Sequence, residues 1–346
     1  MRISYFSHSR LKNSVNAVYI KGLIQNGCNL ETYKTSQSVS GYFGILKTIS
    51  SNKPDLIMVG YDSPQLVIFC RLFTRKKIIY NALCSVYERL IISRALARPF
   101  SPRAIYYWLI DFLAVNLANL VMVETDSQVE YFRKLFWAKQ KKLFRAWTGA
   151  DEDIFYYNQD VKKFPIFTAI FRGQFLPESG VEYVVYAAKI LENESINFII
   201  HGGGQNIDKI KKLIEKLNPR NIKLTTDFLP AEELRTLMQK CHLSLGQLSN
   251  HPRLERTIPH KCYESLAMRL PYLTTANKGI FELLKDGETC ITCEPENAES
   301  LAGKILWAKN HPQELERITE KGRVLYKDKL SSRILAKKLL AHIILK

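Results

Sequence analysis

The side chains of this 346-residue chain best placed by type and spacing to act together lie between Arg256 and Cys290. Pro259, Lys261 and Glu264 follow one another there as Pro-x-Lys-x-x-Glu, ahead of the apolar Ser-Leu-Ala-Met stretch. A proline at this point marks a helix start, and a helix N-terminus carrying a lysine favours phosphate. A carboxylate on the first turns of the same helix can accept both hydroxyls of a ribose, so Glu264 is the ribose candidate. A phosphate that leaves as a bond breaks also needs a nearby cation on electrostatic grounds. Arg172, Arg253, Arg256 and Lys261 are the candidates.

Other constellations carry less. Gly202, Gly203 and Gly204 sit between an apolar run and a helical pattern, where backbone amides can face an anion or simply make a tight turn. Position 207 is Ile, so the fingerprint of a dinucleotide site is incomplete. Asp151 and Asp153 have metal-type spacing but lie in an irregular stretch, and Cys290 and Cys293 lack a second pair or a nearby histidine, so no metal is expected. His8, just after the first apolar run, is the only histidine before residue 201 and is a candidate to touch substrate.

The elements that must position these residues follow a βαβ rhythm. RISYF, DLIMVG, KKIIYN and NLVMVE alternate with helical patterns, the first of them from Asn13 to Gln25. Ser127 with Glu130 three places on reads as a capping box at the helix after NLVMVE. The rhythm fails around WTGADEDIFYYNQDVKKFP and restarts as FTAIFRG, INFIIHGGG, NIKLTT, HLSLGQ, PYLTT and ETCITC. The expected division is therefore a first Rossmann-like domain over 1–148, a linker over 149–165, a second such domain over 166–328, and a final helix over 329–346 that can pack across both. Doubly wound sheets bind ligands at the carboxyl ends of their strands, which predicts two sheets facing a central cleft.

Charge is distributed unevenly. Residues 1 to 150 hold 21 Lys and Arg against 8 Asp and Glu, while the remainder holds 29 against 25. The first half is expected to meet something anionic. Tyr131 to Trp147 contains Arg133, Lys134, Lys139, Lys141, Lys142 and Arg145, six aromatics and no acid, an interfacial pattern expected to face an anionic membrane surface. No uncharged run is long enough to span a bilayer, and seven scattered cysteines fit a reducing compartment, so the expected location is cytoplasmic, peripheral on the inner face of the cell membrane. Nucleic acid is not expected as a partner, because no helix-turn-helix, zinc finger or aromatic ribonucleoprotein motif is present.

The segment RTIPHKCYESLAMRLPYLTTANKGIFELLKDGETC resembles the donor-site signature of glycosyltransferase family 4, with Pro259, Lys261 and Glu264 on its motif. FRGQFLPESGVEYVVYAA is similar to the Gly-Arg loop of that family, LPAEELRTLMQKCHLSLG to its exposed helix and following strand, and GADEDIF to its interdomain linker. The first domain matches less specifically, through PDLIMVG, ALCSVYE, Asp111 and VETDSQ.

The resemblance implies a GT-B fold and a retaining transferase that moves a hexosyl group from a nucleotide diphosphate sugar to a glycan or lipid-linked acceptor, as in polysaccharide biosynthesis. It also implies that no covalent nucleophile and no cofactor are needed. Donor-binding residues would be Glu264, Gly173, Gln174, Gly202, Pro259 and Glu282, with Arg172, Lys261 and Arg256 at the reacting phosphate and His8 and Asn81 on the acceptor side. Two departures stand out: the family's phosphate-binding Arg and Lys fall on Gln174 and Ser179, and its first acidic residue falls on Arg256. A histidine that often ends the fourth strand is replaced by Asn81. A nucleotide-sugar epimerase of the same fold and a non-catalytic GT-B scaffold are the alternatives.

Overall fold

The computed structural model describes residues 1–344, and the chain divides into two units. The first runs from Met1 to Asp151 and takes back the chain from Lys329; the second is Glu152–Asp328. Leu345 and Lys346, the end of the expected final helix, lie outside the described residues.

The first unit is a six-stranded parallel sheet in the order β2-β1-β3-β4-β5-β6. Its strands are β1 (Arg2–Ser7), β2 (Asn29–Lys34), β3 (Leu56–Val59), β4 (Lys77–Leu83), β5 (Leu120–Val123) and β6 (Leu143–Arg145). The helices between them are α1 (Ser14–Gln25), α2 (Val39–Asn52), α3 (Pro64–Phe73), α4 (Pro102–Leu117) and α5 (Asp126–Phe136). β3 and β5 are unbroken apolar runs, LIMV and LVMV, buried at every position, as a parallel sheet covered on both faces requires.

Asn13 caps α1, its side chain accepting from the Val15 amide. α5 starts two residues earlier than the capping box at Ser127 predicts. Thr125 is extended and its hydroxyl accepts from the Gln128 amide, which leaves Ser127 buried inside the helix. Thr-x-x-Gln is itself a capping pattern, and the strand end at Val123 puts Thr125 in the extended conformation a cap needs.

The second unit repeats the plan with β7 (Phe167–Gln174), β8 (Ile196–Gly203), β9 (Ile222–Thr225), β10 (Leu243–Leu245), β11 (Tyr272–Thr275) and β12 (Ile291–Cys293) in the order β12-β11-β10-β7-β8-β9. Helices α6 (Val181–Ile190), α7 (Ile207–Leu217), α8 (Ala231–Lys240), α9 (His260–Ala267), α10 (Lys278–Phe281), α11 (Ala298–Asn310) and α12 (Pro312–Lys329) connect and cover them. Val184, Val185 and Ala188 of α6 pack with Leu301 and Ile305 of α11 on one face of the sheet. The final helix α13 (Ser332–Ile344) packs on α1 within the first unit. The approach is close enough that a Cβ on Gly22 would lie 2.0 Å from the Ser332 carbonyl oxygen.

Both sheets are doubly wound. In the first the chain passes from β1 outward to β2 and returns to β3 on the other side; in the second it runs outward through β8 and β9 and returns to β10 beside β7. The crevices at the carboxyl ends of β1/β3 and of β7/β10 are therefore the places where this architecture puts ligands.

Candidate functional site

The β7/β10 switch point of the second unit gathers side chains far apart in sequence. Arg172 and Gly173 come from the end of β7, Gln247 from the turn after β10, Arg253 from a short 3-10 turn over Pro252–Glu255, and His260, Lys261 and Glu264 from α9. Pro259 is the residue before α9, so Lys261 stands on the first turn, as its spacing predicts. Glu264 is the fifth helical residue, hence on the second turn rather than the first. It meets a guanidinium: Arg172 Nη2 pairs with Glu264 Oε2, with only 15% and 5% of the two side chains exposed.

A second buried pair lies beside the first. Arg253 Nη1 and Glu178 Oε1 are 2.9 Å apart, at 16% and 4% side-chain exposure. Lys261 is buried over the Phe171 ring, its Nζ 3.6 Å from the centroid and 3.3 Å from Gln247 Oε1. Gly173, at φ +126°, leaves that lysine within 3.9 Å of where a Cβ would stand, so this loop backbone can approach a ligand closely.

Burial, and then the Arg172 charge, hold the Lys261 amine well below its usual pKa, partly offset by Glu178. Burial also lowers Arg172 to about 10, and lowers His260 to about 4 with help from Arg172 and Arg253. Arg172 and Arg253 are each matched by a carboxylate, and Lys261 is a further basic group beside those pairs. Arg172 Nε, Glu178 Oε2 and His260 Nδ1 are buried without a hydrogen-bond partner in the protein. Orphaned buried polar atoms are rare in folded proteins, and here they converge beside two arginines and a buried amine, an arrangement suited to an anionic group bearing hydroxyls.

The remaining donor-side residues fall around this cluster. Gln174 is exposed at the end of β7. Ser179 is fully buried, its hydroxyl donating to the Gln174 carbonyl at 2.8 Å and accepting from the Leu176 amide. The position where a phosphate-binding lysine falls by resemblance is thus a turn clip, and Arg253 reaches Glu178 immediately before it. Gly202 pairs with Gly173 across β7 and β8, and its hypothetical Cβ would sit 2.0 Å from the Gly173 carbonyl oxygen, so close strand packing accounts for this glycine. Arg256 and Glu282 are half-buried on flanking turns.

A cavity of about 560 Å3 opens at the carboxyl ends of β8 and β9, lined by His201, Thr225, Asp227, Glu233 and Arg235 among others. A hollow of about 460 Å3 lies toward the other ends of these strands, along Phe164, Thr168 and Asn197, where doubly wound sheets do not bind ligands. Gln247, His260 and the Glu178–Arg253 pair were missed as a set by sequence reasoning. The one signal for Gln247 was its place directly after an apolar run.

In the first unit, His8 follows β1 at the switch point. Its amide donates to Ser63 Oγ at 2.9 Å, and Nδ1 lies 3.0 Å from the Thr35 carbonyl oxygen. Burial lowers its pKa, against smaller raising effects of Thr35 and Asp62. Asn81 is buried within β4, donating to the Val15 carbonyl at 3.3 Å. Lys142 donates to the Asn116 carbonyl; Arg145 sits 3.2 Å from Asp126 and stacks on Trp147, while Lys139 and Lys141 are exposed. Phe132, Phe136 and Trp147 of the same stretch are buried, and residues 143–145 form the edge strand β6. Among the described residues no group of His, Cys, Asp and Glu has metal-binding geometry, and no helix is long and apolar enough to cross a membrane.

Two parallel six-stranded sheets with flanking helices, each with a carboxyl-end switch point, define a GT-B fold. Residues 158–325, which lie within the second unit, match the family model described as Glycosyl transferases group 1. The chain is 25% identical over 306 residues to an uncharacterized glycosyltransferase of Methanocaldococcus jannaschii, covering 88% of this chain and 80% of that one. Its fold is similar to Anabaena HepE, solved in complex with UDP-glucose (TM-score 0.77, 14% identity, full coverage of both chains). It is also similar to sucrose-phosphate synthase of Thermosynechococcus elongatus (TM-score 0.79, 13% identity, 99% and 98% coverage).

Proposed function

We propose that the chain is a retaining glycosyltransferase of family 4 that moves a hexosyl group from a nucleotide diphosphate sugar held by the second unit to an acceptor bound by the first. The observation that carries this reading is the buried Arg172, Arg253 and Lys261 cluster around Glu264 at the β7/β10 switch point. Glu264 accepts the ribose hydroxyls. Its partner Arg172 is then released toward the diphosphate, where with Lys261, Arg253 and the nearby Arg256 it neutralises the charge that grows as the glycosidic bond breaks. These cations supply the electrostatic stabilisation, and the reaction needs no metal or cofactor. Gly173, Gln174, Gly202, Pro259 and Glu282 shape the donor pocket. The departing phosphate takes the acceptor proton on the face it leaves, which preserves anomeric configuration.

His8 and Asn81 belong to the acceptor side. The acceptor is a lipid-linked or cell-surface glycan precursor met at the cytoplasmic face of an anionic membrane, a reading supported by the excess of cations in the first 150 residues.

The test is thermal stabilisation by a panel of nucleotide sugars, followed by product analysis with and without lipid acceptors. One donor is expected to raise Tm in proportion to the logarithm of its concentration over its Kd and to yield transferred sugar. Failure of every nucleotide sugar to stabilise the protein would overturn the proposal. A second reading, a non-catalytic scaffold, is favoured by Gln174 and Ser179; it predicts donor binding without transfer or hydrolysis. Conversion of the donor alone would instead identify an epimerase.

A further inference from the structure

The first unit carries an apolar surface that the donor and acceptor chemistry does not use. Phe43 of α2, Leu72 and Phe73 of α3, Phe100 in the loop before α4, and Ile105 and Tyr106 of α4 are all exposed, Phe100 at 89% and Leu72 at 74%. They form one surface. Tyr42 packs on Phe69 at 4.7 Å and Phe69 on Phe73 at 4.9 Å; α3 packs on α4; and Tyr106 acts electrostatically on Tyr42. Singly exposed apolar side chains are ordinary, but a contiguous group of this size marks an interaction surface.

The charge around the patch selects the partner. From Ser63 to Ile110 the chain holds eight Lys and Arg and one acid, Glu88, which is fully buried. Arg75, Lys76, Arg98 and Arg103 are exposed and close in sequence to Phe73, Phe100 and Ile105, and the carboxylate that faces one of them is Asp55, near Lys76. A two-fold contact with a second copy would bring these cations against their own copies, which like-charge repulsion disfavours. Exposed apolar side chains flanked by cations that outnumber the nearby carboxylates, with Tyr106 and Tyr107 adjacent, fit the boundary of an anionic bilayer.

We propose that the α2–α3–α4 face of the first unit seats the protein on a membrane bearing anionic headgroups. This rests on the peripheral-membrane reading above and moves the contact away from Lys139, Lys141, Lys142 and Arg145. In that stretch Phe132, Phe136 and Trp147 are buried and Trp137 is the large apolar side chain left exposed, so it offers charge and one ring where the α2–α3–α4 face offers six exposed apolar side chains.

The experiment is co-sedimentation of the full chain with vesicles of mixed phosphatidylcholine and phosphatidylglycerol, and with phosphatidylcholine alone, at low and physiological salt. One variant carries Phe100→Ser, Ile105→Ser and Tyr106→Ser, at exposed positions; a second carries Gln at 139, 141, 142 and 145. Wild type is expected on mixed vesicles only, with the triple variant weakened about tenfold or more at both salts and the quadruple variant about threefold and only at low salt. If wild type binds neither vesicle, the membrane reading itself fails. If the quadruple variant alone loses binding, that reading survives and this surface assignment is overturned. Concentration-dependent dimerisation of wild type in sedimentation velocity, abolished in the triple variant, or equal binding to uncharged vesicles, would also overturn it.

Discussion

The two units share a winding pattern and differ at their switch points. At the β1/β3 crevice an Asp62–Arg89 pair stands beside His8, Ser9, Asn16, Thr35 and Ser63, neutral groups that largely satisfy one another: Asn16 Nδ2 donates to Ser9 Oγ at 2.9 Å, and Ser9 Oγ to the Tyr61 carbonyl at 2.9 Å. At β7/β10 the corresponding space is filled by paired and stacked charges with orphaned polar atoms among them. Yet the first 150 residues carry the great excess of positive charge and the rest is nearly balanced. Net charge therefore reports what a surface meets. An anion site is located by where cations are buried and what they lack.

The comparison breaks most visibly at Arg172. Arg172→Ala strands the Glu264 carboxylate and is expected to destabilise the protein by about 3–5 kcal/mol, with Arg172→Ala/Glu264→Gln recovering much of it. Denaturant unfolding of the four proteins of that cycle checks this. Strictly additive losses would mean that the pair is not coupled.

Next in size, Ser179→Lys should cost about 2 kcal/mol or more and restore no activity, because it removes a turn clip and buries a cation beside Arg253. Gln174→Arg, at an exposed position, should fold normally. Higher turnover in Ser179→Lys would show that the site lacks a cation rather than having recruited one.

A smaller effect concerns protons. Lys261 is held well below its usual pKa in the free protein, and a bound diphosphate would restore its charge, so donor binding takes up a proton. Affinity should then fall as pH rises toward the ordinary lysine range, and calorimetry in buffers of different ionisation enthalpy should register uptake that Lys261→Gln abolishes. Uptake unchanged in that variant would assign the proton elsewhere.

Much of the fold was legible because parallel strands buried on both faces read as apolar runs: DLIMVG became β3 and NLVMVE became β5. Local signals failed where two patterns overlapped. Thr125 rather than Ser127 caps α5, and the basic aromatic stretch conceals the edge strand β6. The site was legible as residue types, since Pro259, Lys261 and Glu264 share one short segment. The Arg172–Glu264 pair spans 92 positions and the Arg253–Glu178 pair 75, so no local periodicity could reveal them. His260 is next to Lys261 in sequence, but its burial among arginines depends on those same long-range contacts.

The most direct measurement is donor affinity by calorimetry for wild type and Glu264→Gln, with Tm as the control for folding. Two charge-assisted bonds from ribose hydroxyls to one carboxylate are each worth about 1.5–3 kcal/mol, so the variant is predicted to bind the donor at least about tenfold more weakly while melting cooperatively. Unchanged affinity in a folded Glu264→Gln protein would contradict the assignment of the second unit's cluster as the nucleotide-sugar site.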